Sequence, residues 1–433
     1  MVSTEGLVAA AAVLFALGLL AWCLWAGRLE GPGDCEGKEE EEEEGIPFMA
    51  EDSSGRCRLL CKPSALAQHL VRSLGRSAVL WGGHWPWPCW PWLQMLQQLL
   101  QLPQPQLAMS RELLQLPDAG LVALDWLMRP WGAAGGSGTG GTPSPVLLLI
   151  PNAAGKVTGG LLQLGLRALE RGFAPVIFNR RGHNGCPLTT PRLQPFGDPA
   201  DLREALAYLR CRQPGAALLA ASEGSGSGLL LAYLGESGSS SRLAAAACLS
   251  PIFRGRDWFE AGMPWLYEWP LLLHLKRGLS RYAGALAEAV DVDRLLGSRS
   301  LRELEETLFC RTKSCPITWE TYWERNEPLR DADEAAVPVL CLCSADDPVR
   351  GPARRSLPLE LFRSSPYFFL LLTRRGGHCG FPCWGHEAVL EYFRAMAEFL
   401  GAEERGKGPA RPRRGGGPAA EPPLFTWQRS YTR

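Results

Sequence analysis

Short, wholly apolar runs recur along the middle of the chain, separated by segments with helical periodicity. Val146–Ile150 reads VLLLI, with no polar alternation, as expected of a strand buried on both faces of a parallel sheet. The same alternation predicts helix Leu161–Arg171, strand Ala174–Phe178, helix Pro199–Arg210, strand Ala216–Ala221, helix Gly228–Gly235 and strand Leu243–Leu249. Strands at Val337–Cys343 and Tyr367–Leu372 and a helix at His386–Leu400 complete the series. Upstream, two alternating runs between Ser110 and Met128 flank Pro117-Asp-Ala-Gly120, a turn signal, and predict a hairpin. Strand–helix alternation with short loops implies an α/β, doubly wound, mostly parallel sheet with right-handed crossovers. Residues 254–330 break the pattern: they are helical and tryptophan-bearing, and form a helical lid insertion between two strands.

The ends of the chain differ in kind from the middle. Leu7 to Gly27 carries no charge and no proline, long enough to cross a hydrocarbon core. Residues 1–27 are therefore expected to be a membrane segment, a single-pass N-terminal signal-anchor in an endomembrane. The alternative is a cleaved signal peptide and a secreted product, against which stands the absence of Lys or Arg before Leu7. Residues 28–60 form an acidic linker containing the run Glu39 to Glu44, and 61–109 a tryptophan-rich helical collar. The α/β domain is assigned to 110–400. Residues 401–433 carry seven basic residues and one acid from Arg405 onward and read as a disordered basic tail. With 45 basic and 45 acidic side chains the net charge is zero, which argues against nucleic acid as a partner. The 14 cysteines include no zinc-type pair of CxxC motifs, so neither metal nor cofactor is expected. None of the four asparagines lies in a glycosylation sequon, a lean toward a reducing compartment.

Three groups carry chemistry on such a sheet, in the order nucleophile, acid, histidine. Ser344-Ala-Asp-Asp-Pro-Val349 follows a buried strand, and of its two carboxylates Asp347 is favoured over Asp346 as the acid. Gly376-Gly-His378-Cys-Gly follows the last strand, where flanking glycines let the backbone approach a cleft, and supplies the base. The nucleophile belongs between strand Ala216–Ala221 and the next helix, in a strained small-x-Ser-x-small elbow. The chain reads Ala220-Ala-Ser222-Glu-Gly224-Ser-Gly226-Ser-Gly228. Small flanks fit an elbow centred on 222 or on 224 equally, and only 222 has a hydroxyl. The amide after the nucleophile, at Ser225 if the centre is 224, supplies one oxyanion donor.

Leu116-Pro-Asp-Ala-Gly-Leu-Val-Ala-Leu-Asp-Trp126, Asn179-Arg-Arg-Gly-His-Asn-Gly-Cys-Pro-Leu188, Leu229-Leu-Leu-Ala-Tyr-Leu-Gly-Glu236, Ala345-Asp-Asp-Pro348 and Gly376-Gly-His-Cys-Gly-Phe381 together resemble the membrane-anchored α/β-hydrolase family of acylglycerol lipases and medium-chain esterases. The resemblance runs from about Ser110 to Leu400 and implies the α/β-hydrolase fold. An ungapped match to the family's elbow places its serine on Gly224, and its acid and base on Asp347 and His378. The family's oxyanion-side loop begins Pro-Gly where this chain has Pro151-Asn152, so Asn152 and Ser225 stand on the oxyanion side. Ser225 and Ser222 are fallback nucleophiles. These departures from the family imply a membrane-associated pseudo-hydrolase, catalytically impaired, that binds a lipid or acyl ester and a protein partner in lipid metabolism. The alternative is a working serine ester hydrolase using Ser222 or Ser225 with Asp347 and His378.

Overall fold

The computed structural model describes residues 48–51, 57–76, 108–128, 143–374, 376–379, 381, 384–406 and 427–432, all within one unit from Pro47 to Arg433. Its frame is an eleven-stranded sheet. In chain order the strands are β1 (Phe48–Glu51), β2 (Cys57–Leu60), β3 (Met109–Gln115), β4 (Leu121–Leu127), β5 (Val146–Ile150), β6 (Ala174–Asn179), β7 (Leu218–Glu223), β8 (Ala245–Leu249), β9 (Val339–Ser344), β10 (Phe368–Thr373) and β11 (Trp427–Thr432). Across the sheet the order is β1-β2-β10-β9-β8-β7-β5-β6-β4-β3-β11. The six central strands from β10 to β6 pair in parallel. Antiparallel strands flank them on both sides.

Both faces are covered, which is why the central strands are apolar throughout. On one face, α1 (Ala65–Arg76), α2 (Gly159–Glu170) and the C-terminal helix (Trp384–Gly406) share a core with Leu147, Leu149, Leu219, Ala247 and Leu340. Residues of the other parity, such as Leu148, Ala220 and Ala246, are equally buried. Between β6 and β8 run α3 (Ala200–Arg212) and α4 (Ser227–Ser237), and the Ser222–Ser227 hydroxyl contact joins α4 to β7. Thr158 caps α2 by accepting from the Leu161 N–H at 3.1 Å.

The insertion after β8 is helical among the described residues. It includes α5 (Gly255–Ala261), α6 (Trp265–Ser280) and α7 (Trp319–Asn326), with shorter turns of helix between them. It has its own core, centred on Phe196, Phe259, Leu304, Trp319, Tyr322 and Trp323. The Trp258 indole N–H donates to the Val349 carbonyl at 2.9 Å and ties this layer to the loop that bears Asp347.

Two expectations change. Part of the linker pairs as β1 and β2, and β2 extends the sheet beside β10. The tail is not all irregular: the last helix continues to Gly406, and β11 pairs antiparallel with β3. Both segments satisfy backbone groups that β10 and β3 would otherwise leave open at the sheet's rims. The apolar run Leu7–Gly27 and the tryptophan-rich stretch 81–92 lie outside the described residues. Among those that are described, no helix is long and apolar enough to cross a membrane.

Candidate active site

The elbow is centred on Gly224. β7 ends at Glu223, the chain turns through Gly224 with φ +54°, and a single turn of 3-10 helix leads into α4. That φ lies in the left-handed region where only glycine is comfortable. Two residues on, a Cβ on Gly226 would lie 2.0 Å from the Pro151 carbonyl oxygen, so the turn admits no side chain there. A Cβ on Gly224 would stand 3.0 Å from His378 Nε2. The backbone therefore presents position 224 to the imidazole as a nucleophile would be presented, without the atom that reacts.

Asp347 and His378 meet as their loops predict. Asp347 follows β9 and is closed to solvent; its Oδ2 lies 2.9 Å, and its Oδ1 3.2 Å, from His378 Nδ1. Oδ1 also accepts the Val349 and Arg350 N–H groups at 2.9 and 3.0 Å. Burial works against the charge on both groups. For His378 the attraction of Asp347 outweighs it, with Cys379 adding to the pull, and holds the imidazole well above its ordinary value. For Asp347 the contacts with His378 and the Arg350 N–H outweigh burial and hold the carboxyl below its ordinary value. The neighbouring Asp346 serves the backbone instead. Its Oδ1 accepts from the Gly376 and Gly377 N–H groups, both at 2.9 Å, and so shapes the histidine loop.

Neither fallback serine is turned toward the base. Ser222 lies within β7, fully buried, with its hydroxyl 2.9 Å from that of Ser227. Ser225 Oγ accepts the Ala153 N–H at 3.0 Å. Neither hydroxyl is hydrogen-bonded to His378. On the oxyanion side, Ala153 aims its amide at the elbow, whereas Asn152 builds the adjoining turn. The Asn152 carbonyl accepts from Gly155 N at 2.8 Å and its side chain from Lys156 N at 3.2 Å. The Ser225 hydroxyl thus occupies a donor that a carbonyl oxygen would need.

Two further residues complete the site and went unnoticed as site residues in the sequence. Glu223, one position before the elbow, is buried, which pushes its carboxyl up against the hydrogen bond from Thr158 Oγ1 at 2.6 Å. Cys379 follows the histidine with φ +56°, its N–H donating to Ser250 Oγ at 2.9 Å. Its thiol donates to the Leu249 carbonyl at 3.7 Å, lies 3.8 Å from where a Gly224 Cβ would be, and is pushed up by burial. Direct adjacency to the base was the available signal for Cys379, as adjacency to the elbow was for Glu223. Among the described residues no group of three or more His, Cys, Asp or Glu is arranged to hold a metal ion.

No family model matches the sequence. Individual proteins do. Human "Protein ABHD15" is 53% identical over 98% of this chain and 97% of its own length. Mouse "Phospholipase ABHD3" is 30% identical, covering 67% of this chain and 72% of its own. The "Monoacylglycerol lipase" of Saccharomyces cerevisiae is 25% identical over 54% of each. Among solved structures, the Pyrococcus furiosus esterase Pf2001 aligns with a TM-score of 0.41 at 11% identity, over 66% of this chain and 92% of that one. With its parallel sheet, its elbow at Gly224 and an acid–histidine pair after the last two parallel strands, the chain belongs to the α/β-hydrolase family that includes Protein ABHD15 and Phospholipase ABHD3.

Proposed function

We propose that this protein is a pseudo-hydrolase: it binds an acyl-bearing lipid without forming an acyl-enzyme and acts as a regulatory or binding protein in lipid metabolism. Membrane association through the apolar run Leu7–Gly27 is part of the reading. The observation that carries it is Gly224, which meets the base at the elbow with no hydroxyl. Covalent ester hydrolysis needs a nucleophile within hydrogen-bond reach of its base, about 2.6–3.2 Å. Catalysis through Ser225 would require its hydroxyl to leave the Ala153 amide and cross to His378. Catalysis through Ser222 would require a strand residue to break its contact with Ser227. The lipid class is drawn from the names of the relatives, a phospholipase and a monoacylglycerol lipase.

A serine-directed fluorophosphonate probe tests the reading on the full chain. The expected result is no labelling, and ester hydrolysis at background that Ser222→Ala and Ser225→Ala leave unchanged. Robust hydrolysis abolished by either substitution would overturn it. Gly224→Ser returns a hydroxyl beside Nε2 and is expected to gain labelling. It should also lower stability by about 1–2 kcal/mol, the cost of a side chain at positive φ.

A further inference from the structure

Four arginines are buried among the described residues, and one of them has no partner for its charge. Arg111 grips Asp125 through two contacts of 2.6 Å. Arg181 is held by Asp201 at 2.7 Å twice and by Asp118 at 2.6 Å. Arg350 has Asp347 at 3.8 Å, and donates to Ser356 Oγ and the Ser344 carbonyl. Arg180, only 5% exposed, has no carboxylate oxygen of the described residues within 4.0 Å. Its Nη1 reaches the Pro195 carbonyl at a long 3.5 Å, and its Nη2, shut away from solvent, donates to nothing. Glu305 attracts the charge from farther off, but its carboxylate is engaged by the Tyr322 hydroxyl and burial pushes it up to about 7.

An isolated buried cation is among the costliest arrangements a fold can keep, and orphaned buried polar atoms in a cavity point to a ligand. Arg180 lines a cavity of about 70 Å³ under the lid, and it is not alone there. Gln194 Oε1 and His183 Nδ1, also buried without partners, line the same space. The rest of the lining is mostly apolar, with Leu271, Leu275 and Leu308 among its residues. An unpaired cation in a cavity lined by leucines calls for an anionic amphiphile. The head must be small and singly charged, because the cavity offers one free guanidinium nitrogen while Glu305 and the Gln194 oxygen also line it.

We propose that this cavity binds the free carboxylate of a long-chain fatty acid, with the carboxylate on Arg180 Nη2 and the first methylenes against the lid leucines. The remainder of the chain runs between lid helices, whose leucines part to admit it. The proposal rests on the lipid-binding reading above and deepens it: the protein recognises the acid that ester hydrolysis releases, not the ester.

The test is photolabelling of the full chain with a palmitate analogue carrying a diazirine and an alkyne, competed by palmitate, methyl palmitate or lysophosphatidate. The expected result is labelling of lid peptides that palmitate displaces at a concentration at least tenfold below that of methyl palmitate. In Arg180→Gln that preference should vanish. In Arg180→Leu, which removes the buried charge and leaves the cavity apolar, it should reverse in favour of the ester while labelling persists, showing that the variant is folded. Displacement by acid and ester alike in the parent protein, or a preference for the acid that survives in either variant, would overturn the assignment. Stronger displacement by lysophosphatidate than by palmitate would overturn the carboxylate as head group. These outcomes are independent of the fluorophosphonate result, which alone decides whether the elbow is chemically active.

Discussion

With no hydroxyl at position 224, the imidazole of His378 answers chiefly to Asp347 and Cys379. Because Asp347 raises it, the stability His378 contributes is fully present below its ordinary value of 6.5 and is lost as pH rises through its elevated folded value. Asp347 runs the other way: its contribution is present above its ordinary 3.8 and is lost as pH falls through its depressed folded value. The pair therefore stabilises the fold most between those limits. Asp347→Asn should lower the His378 pKa, since the main attraction opposing burial is then gone, as read from the ring C–H shifts by NMR. The stability gap between parent and variant should be widest near pH 5–6 and narrow toward both extremes. Asp347 is favoured over Asp346 in the sequence for its place just before Pro348, in a loop after a buried strand that the two carboxylates share. The self-occupied Ala153 amide was not, because the direction in which Ser225 turns depends on a loop 72 residues away.

At the scale of elements, the junction of β7, the elbow and α4 shows why the sequence left the nucleophile position tied. Ser222 and Gly226 are both small, and it takes the positive φ of Gly224, its approach to His378 and the closeness of Pro151 to Gly226 to single out 224 as the centre. Gly226→Ala should cost about 1–3 kcal/mol, the range for overpacking, because the obstruction is backbone that cannot rotate aside. The measurement is a denaturant midpoint, with Gly297→Ala, whose added methyl meets nothing within 4 Å, as the control. Most elements were legible to within a few residues, and Val146–Ile150 at both ends, since strands buried on two faces have no polar residue to blur their limits. Helix α4 is buried from Ser227 to Gly235, so it has no amphipathic stripe and could be placed only by the strands around it. β1, β2 and β11 were lost for another reason: acidic and basic neighbours dominate the composition there, while pairing with a distant edge does not show in a local window.

Over the whole molecule, the outer strands carry a consequence for how the protein must be handled. The segment assigned from motifs alone, 110–400, contains the candidate active site and the lid, yet lacks β1, β2 and β11. Cutting there would strip both flanks of the sheet, leaving β10 open along one side and β3 along the other. An open strand is a template on which a second copy can build. The trimmed segment should accordingly scatter light and elute as large species in size-exclusion chromatography, where residues 47–433 remain monodisperse. A trimmed segment that stays monomeric would mean that β3 and β10 are protected by other means. Those outer strands come from stretches that look dispensable, so the protein's shelf life rests on residues outside both the candidate active site and the lid. A fusion tag or a truncation at either flank would then cause loss by precipitation, with the candidate active site itself untouched.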